Sequence, residues 1–197
     1  YRKAALPEQF DEVIQSWDMA FKKTEDSSRV AGHVWARKGA DKYLLYRVCK
    51  RMDFTESLQA VIATTTLFPQ ALRKLVEDKA NGPAVISMLR SKVPGLTPVE
   101  PEGSKEARAQ TGSVHQQAGN LLLPHPEECP WVEEFVEIMS GVPRGEWDDA
   151  DAMDQALKDA QTSSTRERAP ELFADFARAH VQDAQIGIGA DAINALY

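Results

Sequence analysis

The chain is poor in cysteine, and the two it has form no pattern. Cys49 and Cys129 stand alone, which excludes a disulfide framework and a thiolate metal cluster. Cys49 falls in a strand-like run and reads as a small buried hydrophobe. The four histidines, His33, His115, His125 and His180, are scattered without ligand spacing, so zinc is not expected. Long apolar runs are missing as well. Stretches such as Val61-Ile62-Ala63 are far too short to span a bilayer. The N-terminus has no basic-then-apolar leader, so neither secretion nor a membrane partner is expected. No GxxxxGK[ST] stretch occurs, which excludes a P-loop nucleotide motor within these residues. The chain starts at Tyr1 rather than Met and is expected to be a fragment of something longer.

What is present suits one domain. A chain of 197 residues, 43% of them hydrophobic, can build a full-sized core, with room for a short tail. The net charge of −7 is unevenly spread. Residues 1–110 carry 18 Lys and Arg against 14 Asp and Glu, whereas residues 111–197 carry 5 against 16. A basic half can track a phosphate backbone. The acidic half reads as solvated helix surface plus part of a metal site. Ordinary surface charge on both halves is the plainer alternative.

The hydrophobic periods give an order of elements. Glu12 to Phe21 reads as a strand with Ile14, Ser16 and Asp18 on one face. Arg29 to Arg37 and Lys42 to Lys50 follow as strands joined by a hairpin at Lys38-Gly39-Ala40-Asp41. Phe54 to Leu67 has helical spacing, with Phe54, Leu58, Val61, Ile62 and Thr65 on one stripe and a capping box at Asp53 and Glu56. Leu72 to Glu77 is a short buried strand, and Asn81-Gly82-Pro83 turns into a helix through Leu89. A brief strand at Thr97–Val99, a helix from Ser104 to Gln117 and a strand at Gly119–Leu123 come next. Two helices follow, one around Trp131, Phe135 and Met139 and one from about Asp148 to Ala160. Three strands in a meander, then strands alternating with helices, indicate an α/β sandwich around a mixed sheet. Residues 163–197 read either as a packed helical appendage or as a partly ordered tail.

Three acidic groups lie at the ends of these elements, where distant residues can converge. Asp18 sits inside a strand, where aspartate is disfavoured, and its face-mates imply a half-buried place that needs a partner. The alternative is a strand-end cap. Glu77 still lies on its strand, whereas Asp78 points the other way and reads as solvent-facing. In the last helix, Ala152, Met153, Ala156, Leu157 and Ala160 form the buried stripe, with Asp149 in its middle and Asp148 at its border. Asp151 and Asp154 fall on the wet side. Charge at a helix N-terminus is favourable in itself, but two carboxylates at the buried edge exceed what capping requires. Clustered carboxylates need neutralising, and hard divalent cations do that through oxygen ligands.

These motifs resemble the C-terminal nuclease domain of the large terminase subunit of tailed double-stranded DNA bacteriophages. The similarity runs from Ser16-Trp17-Asp18 through Val76-Glu77-Asp78-Lys79-Ala80-Asn81-Gly82-Pro83-Ala84-Val85-Ile86 to Asp148-Asp149-Ala150-Asp151-Ala152-Met153. It also takes in Gly103-Ser104-Lys105-Glu106-Ala107-Arg108 and covers roughly residues 10–160. The resemblance implies an RNase H-like fold for residues 1–162 and an endonuclease that uses two Mg²⁺ or Mn²⁺ ions to cut concatemeric DNA during genome packaging. Carried over by position, Asp18, Glu77 and Asp148 are implied as catalytic metal ligands, with Asp149 an alternate or fourth ligand. Lys79 stands either near a phosphate or on open surface. Lys105 and Arg108, at i and i+3, are implied to face DNA phosphates. The spacing departs from the family's pattern in one place: only Ala150 separates Asp149 from Asp151, where the family has two residues. That leaves an aspartate at 148 and the roles of Asp149 and Asp151 open.

The partners implied are double-stranded DNA, an N-terminal packaging ATPase domain in the same polypeptide, the small terminase subunit and a portal or procapsid. The isolated domain is expected to be monomeric, in the host cytoplasm. Two rivals share the same acids. A junction resolvase would prefer branched DNA, and a non-catalytic docking module would show no cation-dependent stabilisation.

Overall fold

Trp17 and Asp18 are neighbours on one strand and look out of opposite faces of a sheet, and both layers of the molecule follow from that alternation. The computed structural model describes residues 1–19, 29–77, 82–100, 103–104, 112–142, 144–145 and 147–162. Strands β1 (Glu12–Met19), β2 (Val30–Lys38) and β3 (Asp41–Lys50) form the antiparallel meander expected from the sequence. Strands β4 (Arg73–Glu77) and β5 (Leu96–Val99) extend it in parallel beyond β1, and β6 (Leu121–Leu122) pairs in parallel with β3. The order is β5-β4-β1-β2-β3-β6, a mixed six-stranded sheet of the RNase H-like kind. The paired part of β6 is shorter than the strand expected at Gly119–Leu123.

Helices cover both faces. Val13, Trp17, Val34, Leu45 and Val76 belong to the side covered by α1 (Phe54–Leu67) and α2 (Gly82–Leu89). A short helix, α3 (112–117), precedes β6. Ile14, Trp35, Leu44 and Leu75 face the other way, toward Phe135 of α4 (Trp131–Gly141) and Met153 and Leu157 of α5 (Asp148–Thr162). The capping box at Asp53 and Glu56 is present, both bonds at 2.8 Å. The expected stripe packs on the core, with Val61 fully buried and Phe54, Leu58 and Ile62 half-buried, and the small residues Ser57, Ala60 and Thr64 are buried beside it. Small side chains there let the helix lie close to a sheet face that already carries Trp17. That ring lies over Gly32, its cross-strand partner, where a Cβ would sit 2.3 Å from it.

Two local features aim side chains at the α5 face. In β3 the register shifts, because Trp35 pairs with Leu44 but Val34 with Tyr46. Leu45 is therefore an extra residue, and such a bulge changes which face the following residues take. Beyond it Arg47 and Cys49 turn toward α5, where an unbroken strand would have sent Tyr46 and Val48. The second feature is the seating of α5 on β1. Ser16 Oγ donates to the Ala152 carbonyl at 2.7 Å and accepts from Gln155 Nε2 at 2.9 Å. Further along, Arg73 pairs with Asp159 and, at 3.4 Å, with Glu12. Ala152, Gln155 and Asp159 lie on one helical stripe, so α5 runs from the C-terminal end of β1 back toward its start.

The wet face of α5 is narrower than its sequence suggests. Asp154 is buried, bonded to Lys158 at 2.9 Å, and Asp151 is half-buried. Both were expected to face water, but Asp151 lies close to Asp18 at the end of β1, and Asp154 is buried where it pairs with Lys158. Among the described residues no helix is long and apolar enough to cross a membrane. The expected tail at 163–197 lies outside the described residues.

Candidate metal centre

Asp18 is the second-last residue of β1 and only 7% exposed. The parallel register of β1 and β4 sets Trp17 opposite Val76, so the next pair along is Asp18 and Glu77. Both point to the α5 face by alternation, and both stand where parallel strands end, a usual place for a site in α/β sheets. The first turn of α5 arrives at the same place because Ser16, two residues before Asp18, holds the Ala152 carbonyl. Asp148 and Asp151, at i and i+3, share the helix face turned toward β1.

The electrostatics record this convergence. Burial first, then the charges of Glu77, Asp151 and Asp148, push the Asp18 carboxyl well above the ordinary carboxylate range. Asp18, Glu77 and Asp148, far apart in the chain, thus form one neighbourhood, and Asp151 belongs to it. The sequence signal for Asp151 was its i, i+3 spacing from Asp148. No group of three His, Cys, Asp or Glu side chains among the described residues stands ready to enclose an ion as placed.

Asp149 is a correction. It was expected as an alternate or fourth metal ligand, and it is buried as its place in the stripe requires. Its carboxylate, however, is already taken. Arg47 donates from Nε to Oδ1 at 2.9 Å and from Nη2 to Oδ2 at 2.8 Å, and His33 Nε2 bonds Oδ1 at 2.8 Å. Burial alone would raise the Asp149 pKa. Hydrogen bonds from His33 and Arg47, and the charge of Arg47, outweigh it and hold the carboxyl far below its usual range. The Trp35 indole donates to His33 Nδ1 at 3.4 Å, so a tautomer with its proton on Nε2 uses both ring nitrogens. Arg47 Nη1 continues to Glu134 of α4 at 3.0 Å, and Arg29 bonds the same carboxylate at 2.9 Å. Cys49, expected as a buried hydrophobe, is half-buried at the edge of this network; burial, followed by the charge of Asp149, pushes its thiol up to about 12. Lys79, Lys105 and Arg108, the expected phosphate contacts, lie outside the described residues, as does Asp78.

The family profile of the terminase RNaseH-like domain matches residues 15–160. The chain belongs to that family. No curated protein matches it. Among solved structures, this terminase domain is similar to the g2p large terminase nuclease domain of bacteriophage SPP1 with bound Mn, at TM-score 0.55 and 11% identity over 77% of this chain and 88% of that one. The large terminase nuclease of thermophilic phage G20c with bound magnesium gives TM-score 0.58 and 11% identity, over 75% and 80% of the two chains. The large terminase of another thermophilic bacteriophage gives 0.57 and 12%, with 79% of this chain covered. Against that longer protein the present chain spans 41% of the length. Identities this low speak for the fold.

Proposed function

We propose that this chain is the nuclease portion of a large terminase, a Mg²⁺- or Mn²⁺-dependent endonuclease that cuts concatemeric double-stranded viral DNA as genomes are packaged. One observation carries the reading: Asp18, buried at the end of β1, stands beside Glu77 at the end of β4 in the parallel register, with Asp148 and Asp151 of the first turn of α5 close enough to act on it. Carboxylates gathered in one neighbourhood need positive charge, and their all-oxygen donor set suits hard divalent cations. The fit is supported by the bound Mn and magnesium of the SPP1 and G20c nucleases.

Asp18 and Glu77 would supply the rigid ligands, from strand ends fixed by the sheet. Asp148 and Asp151 would supply the ligands from the helix. When bound, a pair of such ions provides an activated water and stabilises the leaving oxygen of a phosphodiester. The chain's own contribution is to hold these oxygens on two rigid layers so that the geometry exists before DNA arrives. Binding would run through phosphates, for which Lys79, Lys105 and Arg108 remain the candidates, and would weaken steeply with salt. The packaging ATPase domain, small terminase subunit and portal or procapsid are the partners this reading brings with it, in the cytoplasm of the host.

The test is plasmid cleavage with Mn²⁺, Mg²⁺ or EDTA, comparing wild type with Asp18→Ala. Nicking and linearisation that need the cation and vanish in the variant are expected. Cleavage that survives Asp18→Ala would remove the mechanism. A strong preference for branched over linear duplex would favour a resolvase instead.

A further inference from the structure

Resting on the reading above, we propose that the buried Arg47–Asp149–His33 cluster is the positioning element that sets the rotation of α5 and so holds Asp148 and Asp151 at the metal centre. Asp149 lies between those two residues in the first helical turn, about 100° around the axis from Asp148. It therefore points into β2 and β3 when they point to β1. A carboxylate gripped at both oxygens by one guanidinium, with an imidazole on Oδ1, cannot turn without breaking all three bonds.

The lever is steep. Side-chain tips lie about 5–6 Å from a helix axis, so a rotation of about 20° sweeps them by about 2 Å. Displacements of about 1 Å are already costly at a reacting centre. Ser16 complements the cluster, because its bond to the Ala152 carbonyl fixes how far α5 slides along β1 but leaves rotation to other contacts. The cluster is tied down in turn. Every nitrogen of Arg47 is engaged, two on Asp149 and one on Glu134. The arginine reaches this face because of the extra residue at Leu45. The cluster thus reports the position of β2, β3 and α4 to the helix that carries half of the proposed ligands.

Lysine in place of Arg47 keeps the charge and loses the two-toothed grip. Glutamine in place of His33 keeps an N–H donor at similar reach but loses the rigid ring and the Nδ1 that accepts from the Trp35 indole. Mn²⁺ alone, titrated into the 197-residue chain and followed by electron paramagnetic resonance, reads the ligand geometry directly, with circular dichroism to confirm folding. Both Arg47→Lys and His33→Gln should bind Mn²⁺ about 10- to 100-fold more weakly, the usual effect of losing a group that orients a ligand. Cleavage should recover toward the wild-type rate at saturating Mn²⁺. Variants that melt earlier yet bind Mn²⁺ as wild type does would overturn the inference and leave the nuclease reading intact. If Arg47→Lys does not fold, His33→Gln decides alone. A wild-type chain that takes up no Mn²⁺ would bring down the nuclease reading itself, and this inference with it.

Discussion

Replacing Arg47 by methionine should destabilise the metal-free protein more than any surface change, and the size of the effect follows from burial. The side chains of Arg47 and Asp149 are 2% and 0% exposed, so water cannot take over for either partner. Methionine preserves most of the aliphatic stem and removes the guanidinium, whose carbon lies 5.9 Å over the Phe135 ring, so the loss is mainly electrostatic. Removing one member of a buried ion pair strands the other charge and costs about 3–5 kcal/mol. For a chain of this size each kcal/mol moves the melting temperature by about 2–4 °C, so a fall of roughly 6–20 °C is expected in EDTA. The pH dependence adds a sign. In wild type the Asp149 pKa is depressed on folding, so its contribution is complete above the unfolded value of about 4 and is lost as the pH falls below it. The variant has no such contribution to lose. Calorimetry between pH 7 and 3 should therefore show the two melting temperatures drawing together as the solution is acidified. A fall below 2 °C, or a gap that widens in acid, would refute the argument that Asp149 is a buried anion held by Arg47.

Asp18→Asn should have the opposite effect at the neighbouring site. Its folded pKa is raised, so wild type loses stability as pH rises above the ordinary carboxylate range, and the amide variant should melt higher than wild type in EDTA at pH 8 while losing all cation-dependent cleavage. Addition of Mn²⁺ should raise the melting temperature of wild type and not of this variant. Gly32→Ala puts a methyl against the buried Trp17 ring and should cost about 1–3 kcal/mol, seen as a lower urea midpoint with an unchanged slope. Cys49, its thiol pushed up to about 12, should resist alkylation by iodoacetamide at pH 8 in the native protein and react fully in guanidinium.

The sheet was legible from sequence because its signals are local. A period of two over β1 sorts Ile14, Ser16 and Asp18 from Val13, Gln15 and Trp17 without any knowledge of their partners. That Asp18, Glu77 and Asp148 meet was legible for the same reason, since all three lie at element ends that a sheet of this connectivity brings together. Asp149 shows where such reasoning stops. Helical periodicity correctly buries it, but a buried carboxylate has two satisfactory partners, a metal ion or a cation from the protein. The choice here depends on Arg47, 102 residues away, which reaches Asp149 only because Leu45 interrupts the pairing of β3. Nothing in Tyr43-Leu44-Leu45-Tyr46-Arg47 marks that interruption, because every residue in the run suits either face of a strand. A single unpaired residue thus decides that the two adjacent aspartates of α5 do different work, one seating the helix and the other facing Asp18.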